Sequence, residues 1–406
     1  MIDRISGHFH SAGGPLFWLH MRTAFLTLFT LGIYRFWAKT RIRRYIWSAA
    51  DAGGDAFEYT GTGLEKFLGF LVAIVILAIY LGIVQIGLAY FGIFVFAEPQ
   101  TEAQMIMQVL GVYLSIFAVL PLIFFAQYRA RRYRLSRTRW RGLRFGMDHA
   151  AWGYVLRALG HLLVTLLTLG LLLPRQTFYL EKFMTDRSWY GDAKFRQDGR
   201  WQALYPGMRH LFVGVGILIA CVAGGAALGL PALAAAGSLI GTVWLLFGLL
   251  HYRVYSFNYL TRMKRLKDQI ALDVTLTTGR VLGILVTGAL AISGVVLMGA
   301  AMIGILFASL FGTSLFSTAL DAQALEAQSP GTIMLASGLT VFLYVALIIV
   351  IGGVSLVMIT QRIIAAAVNT ITIDNASDLM LVRQREADRG ADAEGFADAL
   401  DLGGAI

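Results

Sequence analysis

The chain has 406 residues, of which 57% are hydrophobic and only 14% are charged. Soluble domains carry roughly 25% charged residues, so this composition excludes an ordinary water-soluble protein and predicts a lipid bilayer as its surroundings. The formal net charge of +10 would suggest nucleic-acid binding in a soluble domain. Here Lys and Arg flank apolar segments, as they do in membrane proteins. We therefore expect no nucleic-acid partner.

Six apolar segments are long enough to cross a bilayer as helices, which requires about 20 residues each. In chain order they form three hairpins, and they comprise residues 67–96, 105–125, 211–228, 232–250, 281–311 and 332–360. The links within the hairpins, 97–104, 229–231 and 312–331, contain no Lys or Arg, although the chain has 34 such residues. This asymmetry predicts that the basic segments and both termini are cytoplasmic.

Two further apolar segments, 16–34 and 151–173, do not fit this simple count. Each is basic at its flanks and contains an internal arginine, Arg22 and Arg157 respectively. A full crossing would place one basic flank on the opposite side of the membrane. We therefore predict that both are re-entrant or interfacial helices in the cytoplasmic leaflet. The alternative is two true crossings, which would give eight spans.

Short sequences recur along the chain. The segment TLFTLG at 27–32 returns as TLLTLG at 165–170, and the GDA at 54–56 returns at 191–193. We predict a membrane domain, 1–374, with internal repeats at approximately 9–142, 143–270 and 271–374. The remaining segment, 375–406, is acidic with few large apolar residues, and we expect it to be a disordered cytoplasmic tail.

Six short segments alternate apolar and polar residues, as half-buried strands do: 9–13, 57–61, 143–147, 194–198, 272–276 and 370–374. Single short strands are unstable, so we expect these to gather into a small cytoplasmic sheet or barrel. Six extended linkers are the alternative. The predicted fold class is a polytopic α-helical membrane protein with about six transmembrane helices in three hairpins. This fold class also includes two re-entrant or interfacial helices and short cytoplasmic strands that form a small sheet.

Basic residues interleave with aromatic residues in three segments beside the apolar helices. This combination is typical of proteins that contact lipid headgroups. The candidate residues for binding anionic phospholipid headgroups are Lys39, Arg41, Arg43, Arg44, Arg131, Arg132, Arg134, Arg262 and Arg265. The simpler interpretation is that they only orient and anchor the chain.

Polar residues at membrane depth are scarce, and Gln85 is the candidate for a path through the membrane. No Asp, Glu, Lys or Arg lies centrally in the six segments, which disfavours proton-coupled transport. His8 and His10 would share a strand face, but two ligands do not make a metal site. No catalytic motif is recognisable. We therefore predict no enzyme activity, no catalytic residue, no metal and no cofactor.

Residues 30–39 (TLGIYRFWAK), 40–45 (TRIRRY) and 57–65 (FEYTGTGLE) resemble the YjgN-like family of bacterial inner-membrane proteins, a domain of unknown function. The resemblance covers most of the chain up to about Asp374. The second copy of the repeat departs from it, because Gly170 is followed by Leu171 and not by the sequence that contains Trp37. The resemblance implies a bacterial plasma membrane, the inner one where there are two, and supplies no catalytic residue.

Three functions are compatible with these features. The first is a permease-like or lipid-handling protein whose basic cytoplasmic residues engage anionic headgroups. The second is a membrane scaffold whose cytoplasmic strands recruit a soluble partner, and the third is a membrane-embedded enzyme. The sequence leaves homo-oligomerisation open.

Overall fold

A computed structural model describes residues 4–10, 12–311 and 330–385. The helices are α1 (Gly13–Phe29), α2 (Arg35–Ala49), α3 (Gly63–Tyr90), α4 (Glu102–Ser136), α5 (Ala151–Leu167), α6 (Leu173–Thr185), α7 (Arg209–Ala227), α8 (Pro231–Arg262), α9 (Thr278–Phe311), α10 (Pro330–Ser355) and α11 (Arg362–Val368). Short 3₁₀ helices cover Trp201–Met208 and Ala376–Leu381, and a π-helical segment covers Leu356–Gln361. Most of the predicted link 312–331 lies outside the described residues.

Ten strands form one closed antiparallel barrel. They are β1 (Arg4–Phe9), β2 (Ala50–Ala52), β3 (Asp55–Tyr59), β4 (Thr138–Trp140), β5 (Leu143–Met147), β6 (Ser188–Tyr190), β7 (Ala193–Gln197), β8 (Lys264–Leu266), β9 (Ile270–Val274) and β10 (Ile371–Asp374). Around the barrel the order is β1-β10-β9-β8-β7-β6-β5-β4-β3-β2, and β2 pairs with β1. The predicted fold class, in which the strands form a small sheet, is therefore wrong.

The reason for this error is the length of four strands. Each of β2, β4, β6 and β8 has only three residues, too few to show an alternating pattern. Each directly follows a helix and turns tightly into the next strand. Gly53 and Gly54 both have positive φ, as do Arg141 and Gly142, which is the conformation that two-residue hairpin turns require.

By its internal contacts the chain divides into two compact units. Of the described residues, the barrel unit contains 4–10, 39–278 and 367–385, and the second unit contains 12–38, 279–311 and 330–366. In the barrel unit, α2, α4, α6 and α8 each end one to three residues before a strand, and α3 and α5 each begin within four residues after one. Their junctions therefore lie at one end of the barrel, the helix-bearing end, and the hairpin turns lie at the other.

Six helical segments are long and apolar enough to cross a membrane among the described residues: Gly63–Tyr90, Glu102–Ser136, Trp201–Ala227, Pro231–Arg262, Thr278–Leu306 and Ser337–Val368. This number agrees with the six predicted spans. In the barrel unit, Gly237 and Gly241 of α8 face Cys221 and Leu218 of α7 so closely that neither has room for a Cβ atom. Small residues thus allow these two helices to pack tightly.

In the second unit, α1 packs on α10. Gly352 and Gly353 of α10 leave room for the side chains of His20 and Phe17 of α1. The imidazole Nε2 of His20 lies 3.2 Å from the carbonyl oxygen of Ile349. Helix α1 is thereby held against one of the membrane-spanning segments.

The first part of the predicted disordered tail is ordered against the barrel. Ala376, Leu379 and Val382 are buried among barrel residues that include Trp140 and Ile270. Asn375 donates its side-chain amide to the carbonyl oxygen of Gln269 at 2.9 Å. Residues 386–406 lie outside the described part of the chain.

Candidate functional site

Two helical hairpins share an unusual turn. The α1–α2 turn (residues 30–34) contains Leu31 at φ 49° and Gly32 at φ 92°, and the α5–α6 turn (168–172) contains Leu169 at φ 50° and Gly170 at φ 85°. In each turn the glycine amide donates to a carbonyl oxygen five residues earlier at 2.7 Å. The left-handed backbone conformation costs a leucine roughly 1–2 kcal/mol. Both turns therefore carry the same backbone strain at an equivalent leucine.

These turns present large apolar side chains outward. Leu31 is 94% exposed and Leu169 is 93% exposed, and Phe29 and Leu167 beside them are also exposed. Exposed apolar groups at the turn of a hairpin favour insertion into lipid. Helix α5 has 17 residues and spans about 26 Å at 1.5 Å per residue, which is short of the roughly 30 Å hydrocarbon core.

The return helix α6 of the α5–α6 hairpin is bonded to α4 and to the barrel. Its Glu181 accepts hydrogen bonds from Arg131 of α4 and from Lys264 of β8. Helix α6 therefore lies on the barrel side, and both ends of the hairpin join the helix-bearing end of the barrel. This geometry favours the interfacial placement over the eight-span alternative.

The first group of candidate basic residues lies on α2, where their exposure differs. Arg41 and Arg44 are exposed and Lys39 is half-buried. Arg43 is only 2% exposed, and its guanidinium donates to the hydroxyl of Tyr59 at 3.3 Å. Arg43 thus connects α2 to β3, whereas Arg41 and Arg44 are exposed, and Arg44 also donates to the carbonyl oxygen of Gly61 at 3.4 Å.

The second group lies near the end of α4. Arg132 is 1% exposed, and its Nε donates to the carbonyl oxygen of Met147 at 2.8 Å. Arg134 is half-buried. Arg131 forms a bidentate ion pair with Glu181, with N–O distances of 2.6 and 2.9 Å. The side chain of Arg132 therefore connects α4 to β5.

Glu181 is the centre of a charged cluster that sequence reasoning missed. Lys264 Nζ lies 2.8 Å from a Glu181 carboxylate oxygen, in addition to the Arg131 pair. Burial alone raises the pKa of Glu181, but the charges and hydrogen bonds of Arg131 and Lys264 outweigh burial and hold the pKa well below its usual range. Arg131 and Lys264 lie in basic segments that the sequence reveals. Glu181 lies outside them, so no sequence pattern points to it.

The third group lies on α8 and β8. Arg262 is 46% exposed at its side chain and pairs with Asp273 at 2.8 Å. Arg265 is half-buried on β8. The nine candidate residues are thus distributed over α2, α4, α8 and β8, and the exposed Arg262 also joins α8 to β9 through Asp273.

The remaining polar candidates have local partners. The Gln85 amide donates to the hydroxyl of Ser115 at 2.9 Å, which connects α3 to α4 within the membrane. The imidazole of His10 lies 2.8 Å from a carboxylate oxygen of Asp51. Across the described ranges, no group of three or more His, Cys, Asp or Glu side chains is placed to hold a metal ion.

These features define a multi-pass membrane protein that also contains a closed β-barrel. Residues 4–294 match the family described as bacterial protein of unknown function (DUF898), and since the match covers more than half of the chain, the chain belongs to this family. It is similar to inner membrane protein YjgN of Salmonella typhimurium, with 26% identity over 150 residues, and to that of Escherichia coli O157:H7, with 29% identity over 140 residues.

Each of these alignments covers about a third of both partners: 36% of this chain and 33% of the Salmonella protein, and 34% and 30% for the Escherichia protein. No solved structure gives a significant match to the chain. The predicted resemblance to the YjgN-like family is confirmed, as is the inner-membrane location. The protein is a multi-pass inner-membrane protein of bacteria, in contact with the lipid bilayer.

Proposed function

We propose that the protein handles lipid at the cytoplasmic leaflet, where it binds anionic headgroups through its exposed basic residues. The exposed, strained leucines of the two helical turns carry this proposal, because lipid is the medium in which such side chains are stable. Insertion of the turns in this leaflet brings neighbouring cations to headgroup depth. The barrel, the basic helix ends and both termini then lie in the cytoplasm.

Cations near each turn support a preference for anionic lipid. Arg35 follows Leu31 by four residues and is exposed, and Arg41 and Arg44 are exposed further along the same helix. Arg175 follows Leu169 by six residues. Each cation near an anionic leaflet contributes about 1 kcal/mol to attraction, so a few of them give a measurable lipid selectivity.

The scaffold alternative relies on cytoplasmic strands that recruit a soluble partner. Each of the ten described strands pairs with a neighbour on both sides. None of them therefore has a free edge to which a partner could add a strand, which disfavours this mode of recruitment. A permease-like path at Gln85 has less support than headgroup binding, because that amide bonds to Ser115 across the helical hairpin.

Native mass spectrometry of the purified protein in mixed phosphatidylglycerol and phosphatidylcholine micelles tests headgroup binding. We expect the wild type to retain phosphatidylglycerol preferentially. The double variant Arg41→Gln, Arg44→Gln should lose about thirtyfold in that preference, since two cations at about 1 kcal/mol each are removed. Arg196→Gln is the matched control, because Arg196 is also exposed but lies on the barrel. An unchanged ratio in the double variant would contradict headgroup binding.

A further inference from the structure

The barrel encloses a cavity of about 320 Å³. Its wall is almost wholly apolar and includes Phe57, Phe145, Phe195, Leu272 and Ile373. The polar atoms of the two other aromatic residues in the wall already have partners. The Trp140 indole donates to the carbonyl oxygen of Asp55 and the Tyr190 hydroxyl donates to that of Trp140, both at 3.0 Å.

The two ends of this cavity differ. At the helix-bearing end the wall includes Gly7, Asp51 and Val368, and Val368 is the last residue of α11. At the hairpin-turn end Leu379 closes the cavity from the 3₁₀ helix Ala376–Leu381. Two hydrogen bonds hold the segment after it: the Arg383 backbone amide donates to the Asp192 carboxylate at 3.0 Å, and the Asp192 backbone amide donates to the Arg383 carbonyl oxygen at 2.8 Å.

We propose that this cavity binds a single acyl chain that enters from the helix-bearing end. The proposal rests on the lipid-handling function, since the bilayer supplies the ligand. Its volume lies at the lower end of ligand pockets, which hold roughly 300–1,000 Å³, and suits one chain. An apolar wall gives a bound water too few of the two to four polar partners that it needs, and it offers an ion or a sugar no compensation for desolvation.

The cavity wall fits a chain whose headgroup stays outside. Side chains alternate along β2, and Ala52 points into the barrel core, so the carboxylate of Asp51 lies on the opposite face with His8 and His10. A charged headgroup would therefore find no polar partner inside the cavity, whereas an uncharged chain needs none. Helices α3 and α5 leave this end of the barrel, so the entrance faces the same direction as the membrane-associated helices of this unit.

Photolabelling of the full-length protein in nanodiscs tests the proposal. Two probes carry the same diazirine chain, one as palmitic acid and one as phosphatidylglycerol, and labelled peptides are identified by mass spectrometry. We expect labels in peptides that contain 138–147 and 188–197. Labelling by palmitic acid alone identifies a free fatty acid as the source, and labelling by both probes identifies a phospholipid chain. Labels confined to the spanning helices would overturn the proposal.

Substitutions in β10 separate cavity binding from surface adsorption. Ile373→Trp fills the cavity and should lower barrel labelling about tenfold, as expected when roughly two methylene groups lose their burial. Thr372→Trp is the matched control, since Thr372 is adjacent but absent from the cavity wall, and labelling should persist. Unchanged barrel labelling in Ile373→Trp would refute cavity binding.

A second variant covers the case in which Ile373→Trp does not fold. Ile373→Ala widens the cavity and should increase barrel labelling by a methyl-branched diazirine chain relative to the linear one. An unaltered ratio would count against the cavity as the site. Labelling of spanning peptides serves as the internal control throughout. Headgroup selectivity is measured separately with the Arg41 and Arg44 variant. Failure of the headgroup experiment and failure of the barrel-labelling experiment can therefore be distinguished.

Discussion

Arg131 and Glu181, which are 50 residues apart in sequence, join α4 to α6. Both oxygens of the carboxylate accept from the guanidinium, and Lys264 of β8 contacts the same carboxylate. The cluster therefore ties a membrane-spanning helix, the α5–α6 hairpin and the barrel together. Its stability effects can be measured independently of any lipid function.

Glu181→Gln should strongly destabilise the protein. The substitution leaves Arg131 and Lys264 without their shared carboxylate. Their side chains and that of Glu181 are 19–26% exposed, and loss of hydrogen bonds to a charged group costs about 1.5–3 kcal/mol. The free energy of unfolding in mixed micelles measures this loss. Asp55→Asn is the control, because Asp55 pairs with Arg141 but its side chain is 51% exposed, and exposed pairs contribute roughly 0–1 kcal/mol. Equal losses in the two variants would refute the central role of Glu181.

The same carboxylate should make stability depend on pH in acid. Because the folded state lowers the pKa of Glu181, its contribution is complete above the unfolded value of about 4.3 and decreases as the pH falls toward the folded value. We expect the stability difference between wild type and Glu181→Gln to be constant at neutral pH and to shrink below about pH 4. A difference that stays constant throughout the acid range would contradict this assignment.

Gly146→Ala should destabilise the barrel. A Cβ atom at Gly146 of β5 would overlap the ring of Trp189 on the neighbouring strand β6, and the ring is only 4% exposed. Overpacking of this kind costs about 1–3 kcal/mol. Gly160→Ala is the matched control: Gly160 lies on α5 with open space around it, and alanine there should stabilise the helix by about 1 kcal/mol. Thermal unfolding measures both, and opposite signs are expected.

The two helical turns should lie within lipid. Bimane attached to Leu31→Cys or Leu169→Cys, in a Cys221→Ser background, should be quenched by lipids brominated on their acyl chains. The same label at Asp268→Cys, in the exposed β8–β9 turn, should not be. Unquenched fluorescence at both leucine positions would show that the turns are in water and would remove the main support for lipid handling.

The sequence predicts the membrane helices well because their signal is local. A run of apolar residues identifies a span without knowledge of its neighbours, and the recurrent Thr-Leu-Gly identifies the two turns that share one conformation. Closure of the barrel depends instead on contacts between distant segments, such as Arg4 of β1 with Asp374 of β10. Strands of three residues carry too little pattern to predict these pairings.

The basic residues illustrate the same limit at the candidate site. Arg41 and Arg43 stand two residues apart and have the same chemistry, yet one is exposed and the other is buried. Which side of α2 faces the barrel depends on Tyr59 and Trp47, and their positions follow from strand pairing. Sequence composition therefore locates the basic helix but does not distinguish its exposed arginines from its buried ones.

Cysteine accessibility tests most directly the claim that the barrel and the basic helix ends share the cytoplasmic side. In a Cys221→Ser background, single cysteines replace Gln100 in the α3–α4 link and Asp268 in the β8–β9 turn, and an impermeant maleimide is applied to spheroplasts and to inverted vesicles. We predict that Gln100→Cys reacts only in spheroplasts and Asp268→Cys only in inverted vesicles. Reaction of both positions from the same side would contradict the topology on which the proposed function depends.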